Sequence, residues 1–328
     1  MGKYNDRMLR ADQVPREMRV PHVTSGYRPL YQPWIFYARS LFRLHNETFN
    51  VWTHLVGLVL LAVQIKYYYH TYAVDGAHVR WTLLGHGACC SVTLFNSAVA
   101  HLLHSRSCYA NFLVFMFDYI GVVSWGFGTA ILSLYGVSEP EMYARLDPTF
   151  LTLQLVWTYG TYIIICMSKL WFGHDLEISS RKKMIVVSIC IQGFSNMIPW
   201  FPRYVNCFAS ETCSLTSLNH VAAVIASFTL MTLTFVFHQP EKTWPGRFDI
   251  FGQSHQIFHV FVILTQSLQL HALHVDHVSG ANAHCKPDPT WIAMCIIALN
   301  VSCILTLVYF RPHVHRKVHG AHNNNKTE

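Results

Sequence analysis

Eight stretches of this sequence are each long and apolar enough to cross a lipid bilayer. They run roughly Val51–Tyr69, Trp81–Leu103, Phe112–Tyr135, Phe150–Ser168, Met184–Phe201, Leu218–Phe237, Ile257–Val275 and Trp291–Phe310. A helix crossing the hydrocarbon needs about 20 residues. A soluble protein that merely buried such helices would need far more polar sequence between them. Only 12% of the residues are charged, about half of what a soluble domain carries. The expectation is an all-α polytopic membrane protein. Its short loops leave a single helical domain, 46–311, between a leading segment, 1–45, and a tail, 312–328, that reads as disordered.

Orientation follows from lysine and arginine, which accumulate on the cytoplasmic side of short loops. If the leading segment is cytoplasmic, it shares that side with the even-numbered loops and the tail, which together hold nineteen of the 24 basic residues. The opposite side holds Arg80, Arg145, Arg203 and Lys286, and Lys66 lies within a span. Both termini are therefore expected in the cytoplasm. The net charge of +7 calls for no nucleic acid, because its basic residues lie where anionic inner-leaflet lipids would meet them. No secretory signal is evident, so the first span is expected to direct its own insertion. Between Trp34 and Leu44, aromatic residues and the turn-spaced Arg39 and Arg43 suit a helix lying in the interface plane.

Of ten cysteines, six lie in spans and Cys108 is expected on the cytoplasmic side. Cys207, Cys213 and Cys285 fall in loops where oxidation is allowed, but three cysteines leave one over and the pairing stays open.

Ionisable groups within a membrane are costly and mark functional sites. Span parity brings several to one depth near the cytoplasmic side: Ser97 and His101 late in span two, Asp118 early in span three, and His255 and His259 opening span seven. Glu47, Asn50 and His54 open span one at the same level. His255 and His259, four residues apart, share one helix face about 6 Å apart along the axis. With a histidine from span two they supply three nitrogens and leave a fourth position for water, the arrangement of catalytic zinc. Asp118 is placed to hydrogen-bond that water or orient a ligand, and Ser97 lies one turn before His101. The bland alternative is chance, since the chain has 21 histidines. His101–His104 and His271–His274 are similar close pairs. Glu47 and Asn50 also fit a structural role, capping the first helix or tying it to its neighbours.

Four motifs in order resemble the progestin and adipoQ receptor family: Glu47-x-x-Asn50-x-x-x-His54, Ser97-x-x-x-His101, Asp118 within Phe117-Asp118-Tyr119-Ile120-Gly121, and His255-x-x-x-His259 after Pro240-Glu241 and Pro245-Gly246. The resemblance spans roughly Pro21 to Val275. The run Ser25-Gly26-Tyr27-Arg28-Pro29 and the eighth span lean toward the membrane progestin receptor branch. The resemblance implies a seven-helix bundle with an eighth C-terminal span, Zn2+ held by His101, His255 and His259, Asp118 meeting the metal through water, and Ser97 beside it. It also implies a plasma-membrane receptor for a steroid (a progestin) or other lipid, acting through heterotrimeric G proteins. The alternative, by similarity to alkaline ceramidases, is a lipid amide hydrolase. There zinc-bound hydroxide would attack the amide, Asp118 would relay the proton, and Ser97 or zinc would stabilise the oxyanion. A transporter lacks support, because the sequence shows no midplane interruption in matching halves.

Overall fold

The computed structural model describes residues 7–72, 76–147, 149–172 and 179–324. Its helices are α1 (Trp34–Ser40), α2 (Thr48–Thr71), α3 (Ala77–Leu103), α4 (Cys108–Tyr135), α5 (Pro140–Leu146), α6 (Phe150–Phe172), α7 (Ser179–Met197), α8 (Phe201–Ala209), α9 (Asn219–Phe237), α10 (Ser254–Val278) and α11 (Pro289–Asn324). Among the described residues, seven helices are long and apolar enough to cross a membrane, and a bent helix pair brings the number to as many as eight if it counts as one span. The chain is a multi-pass membrane protein.

The bent pair is the fifth apolar stretch, expected as one span ending at Phe201. α7 and α8 meet at 52° instead. Pro199 and Pro202 explain the break, because proline removes a donor and disfavours helix in the residue before it. Inside a membrane, freed backbone groups need partners. The carbonyl of Pro199 accepts from the Glu139 backbone N–H at 2.8 Å, and Asn196 Nδ2 donates to the Gly126 carbonyl at 3.0 Å.

The bundle is apolar outside and holds its amides within. Val56, Val59 and Val63 on α2, and Ile297, Val301 and Ile304 on α11, are exposed, as a lipid-facing surface requires. Gln154, Gln192, Gln266 and Gln269 are buried. α4 is the hub, packed against α3, α6, α7 and α11. Its approach to α3 depends on a missing side chain: a Cβ on Gly121 would stand 2.7 Å from Thr93 Cα. Small residues let membrane helices close in this way. Thr93 Oγ1 then donates to the Gly121 carbonyl at 2.8 Å, and Asn96 Nδ2 to the Phe117 carbonyl at 3.0 Å. These bonds set the register that brings Ser97 and His101 alongside Asp118.

Two further expectations change. α1 stops at Ser40 rather than Leu44, where the chain turns so that the Leu41 carbonyl receives the Trp52 indole N–H at 2.8 Å. Residues 312–324, expected as a disordered tail, continue α11 despite the internal Pro312. The four residues after Asn324 lie outside the described residues. Cys207 and Cys213 form a disulfide, which resolves the open pairing, and Cys285 is a buried free thiol.

Candidate functional site

α3 and α10 carry the three expected histidines to one point. Ligand nitrogens of His101, His255 and His259 all lie within 4.8 Å of one another. His101 Nε2 and His255 Nε2 are 3.3 Å apart. Two nitrogens bound tetrahedrally to one ion at about 2.0–2.1 Å would be separated by about 3.3 Å, so this spacing suits a shared metal. His101 and His259 are buried and His255 is half-buried. Three imidazoles, two of them buried, form a donor set that suits zinc.

Further contacts fix the rings. His101 Nδ1 meets Glu47 Oε2 at 2.7 Å, which turns Nε2 toward His255. Histidine ligands commonly give their second nitrogen to a carboxylate, fixing tautomer and ring plane. Glu47 is itself held by Asn50 Nδ2 at 2.6 Å, and its other oxygen lies 3.4 Å from His104 Nε2. His259 Nδ1 faces the Asn50 carbonyl at 3.2 Å, leaving Nε2 for the centre. Ser97 lies beside Asp118, whose Oδ1 is buried without a partner.

The amino-terminal segment straps this end of the bundle. Arg28, 1% exposed, donates to the carbonyls of His101 at 2.7 Å and Leu102 at 2.6 Å, and to the hydroxyls of Ser40 and Ser105, both at 2.9 Å. It therefore closes the C-terminal carbonyls of the helix that carries His101, where a cation is favoured. Burial draws its pKa down to about 10, against the pull of Glu47, and it stays charged at neutral pH. Upstream, Thr24 N–H and the hydroxyls of Thr24 and Ser25 donate to Asp249 at 2.9, 2.8 and 2.6 Å, just before α10. Glu241 accepts the Ser254 backbone N–H at 2.8 Å and caps the first turn of α10.

The expected residues Ser97, His101, Asp118, His255 and His259 thus share one locality. Sequence reasoning gave Glu47 and Asn50 a structural role, capping the first helix or tying it to its neighbours. Glu47 makes no side-chain cap on α2, and its carboxylate takes the second role, tying the start of α2 to α3 through His101. Their spacing on one helix face, at the depth of the histidines, was the available signal. Arg28 and His104 were missed as supports.

Such a structure defines a class: a multi-pass helical membrane protein with a three-histidine cluster buried between helices at one end. Comparison with known proteins narrows it. The model of the haemolysin-III-related family matches residues 42–270, so the chain belongs to that family, which includes the progestin and adipoQ receptors. Zebrafish (Danio rerio) membrane progestin receptor alpha-B is 30% identical over 310 residues, covering 92% of this chain and 86% of that protein. Human membrane progestin receptor alpha is 31% identical over 81% of this chain and 75% of its own length. Pig (Sus scrofa) membrane progestin receptor beta is 30% identical over 80% and 74%.

Proposed function

We propose that this protein is a zinc-containing membrane receptor for a steroid of the progestin class, signalling through heterotrimeric G proteins. In this reading it sits in the plasma membrane with both termini in the cytoplasm. The observation that carries it is the similarity to proteins named membrane progestin receptors over four fifths or more of the chain. His101, His255 and His259 would hold the ion, which ties α3 to α10, with Glu47 orienting His101. The test is saturable binding of radiolabelled progesterone to membranes expressing the chain, followed by steroid-dependent nucleotide exchange on added G protein. Binding that survives Asp118→Ala supports the receptor. Folded, zinc-loaded protein with no saturable binding counts against it.

One observation favours a second reading, a lipid amide hydrolase: the unpartnered Asp118 Oδ1 beside Ser97 and the histidines. Zinc, when bound, lowers the pKa of coordinated water to about 7. Asp118 would take up a proton at Oδ1 and pass it to the leaving amine, while the Ser97 hydroxyl would steady the developing charge. Ceramide turnover that is lost in Asp118→Ala would establish this activity.

A further inference from the structure

The histidine cluster is bordered by an imidazole that neither the ligand set nor the support network uses. His54 lies on α2 two turns after Glu47 and is 2% exposed, and neither ring nitrogen has a hydrogen-bond partner. Leaving buried polar atoms unbonded is costly, so each such atom in a native site asks for an occupant. The His54 ring stacks on His259 with centroids 3.9 Å apart, so it borders the cluster. Among the described residues it nonetheless belongs to neither group of converging ligand atoms. It is a neighbour of the ion position rather than a ligand.

Two more polar atoms near the cluster are in the same condition. Asn50 Oδ1 is buried and unbonded, and its amide cannot be the other way round, because Nδ2 is committed to Glu47. Asp118 Oδ1 is the third. A neutral imidazole offers one N–H and one lone pair, while an amide oxygen and a carboxylate oxygen only accept. The unfilled set therefore asks mainly for donors.

We propose that His54 is the ligand-recognition residue of this cluster, hydrogen-bonding a hydroxyl group at the polar end of a lipid ligand. A hydroxyl can donate to the lone-pair nitrogen of the ring or accept from its N–H, one contact at a time. A ketone only accepts and would leave the lone pairs unfilled. Sites built to bond a hydroxyl discriminate strongly against analogues lacking it. The assignment rests on reading the cluster as a lipid-ligand site, and it goes further by naming the functional group that is read and the residue that reads it. Trapped water has the same chemistry, and the experiment separates the two sources.

The probes are progesterone and its 20-hydroxy counterpart, offered to the zinc-loaded full chain in detergent. Zinc content and thermal midpoint are measured alongside affinity. Wild type should bind the hydroxy-steroid at least about tenfold more tightly, a difference of about 1.4 kcal/mol. His54→Phe, which keeps a ring against His259, should bind both steroids equally, with wild-type zinc content and a midpoint no lower than wild type. His54→Asn, which keeps a donor and an acceptor, should retain a preference. Equal binding by wild type, or a preference that survives His54→Phe, overturns the proposal. So does a lowered midpoint with the preference intact, the outcome expected if only structural water meets the ring. If wild type binds neither steroid, the progestin reading fails by itself. The hydroxyl assignment is then decided by N-acylsphingosine against its 3-keto analogue: preference for the hydroxyl form, lost in His54→Phe, upholds it, and equal or absent binding overturns it.

Discussion

Two buried polar networks, one toward each end of this bundle, handle charge in opposite ways. At the end away from the histidine cluster, Asp276 is 1% exposed and fully engaged. Arg203 grips both carboxylate oxygens, His220 Nε2 meets Oδ1 at 2.9 Å, and Arg203 Nη1 also donates to the Val137 carbonyl at 2.9 Å. That network fastens the bent α7–α8 pair to α9 and α10, and it is complete within the chain. At the other end three imidazoles face one another, with Glu47 supporting one of them and several polar atoms unbonded. A complete network needs nothing further and reads as architecture. An incomplete one, equally buried, reads as a place where something binds.

The sharpest way to break this contrast is to remove the ligands. The double variant His255→Ala/His259→Ala should lose essentially all zinc relative to wild type, measured by elemental analysis of the purified protein. Unchanged zinc would end the metal assignment. Next in size is Asp276→Ala, which leaves Arg203, a partly buried cation with 16% of its side chain exposed, without its carboxylate. Breaking such a pair costs about 3–5 kcal/mol, so a large fall in thermal stability is expected. Zinc per folded molecule should stay constant, since this network lies at the far end of α10. Glu47→Gln should act the other way round, weakening zinc about 10- to 100-fold by chelator competition while the fold persists.

The smallest effect concerns the junction behind the cluster. His45 is fully buried, accepts the Glu47 backbone N–H on Nδ1 at 3.1 Å and faces the Ser40 carbonyl through Nε2 at 3.2 Å. This pattern suits only the neutral ring. Burial, assisted by Arg28, draws its pKa down to about 3. The unfolded chain takes up this proton near pH 6.5 and the folded chain does not, so stability falls as pH drops below 6.5 toward 3. Between pH 7.5 and 5.5 the loss should be about 1.4 kcal/mol. His45→Gln should flatten that part of the pH profile in a thermal-melt series.

Much of this was legible because membrane burial writes itself in long apolar runs, and because parity along antiparallel spans converts sequence position into depth. That logic located His101, Asp118, His255 and His259 at one level without knowledge of any contact. It was silent on side-chain direction, so Glu47, Asn50 and His54 were seen at the right depth but not as neighbours of particular rings. The break at Pro199 could be suspected but not its angle, because the bend is made tolerable by partners distant in sequence, Glu139 and Gly126. Arg28 was the least legible. A buried guanidinium is recognisable only once the helix end that it closes is in place, and α3 ends more than seventy residues later.

The strap from Thr24 to Arg28 also carries a consequence for biogenesis. Its residues leave the ribosome almost first, whereas their acceptor Asp249 lies 225 positions after Thr24. The Thr24–Ser25 part of the arm therefore waits undocked while most of the spans are inserted, although the partners of Arg28 on α3 emerge earlier, and it fastens only when the segment leading into α10 has emerged. Closure of the histidine cluster is accordingly one of the last events in the maturation of the nascent chain.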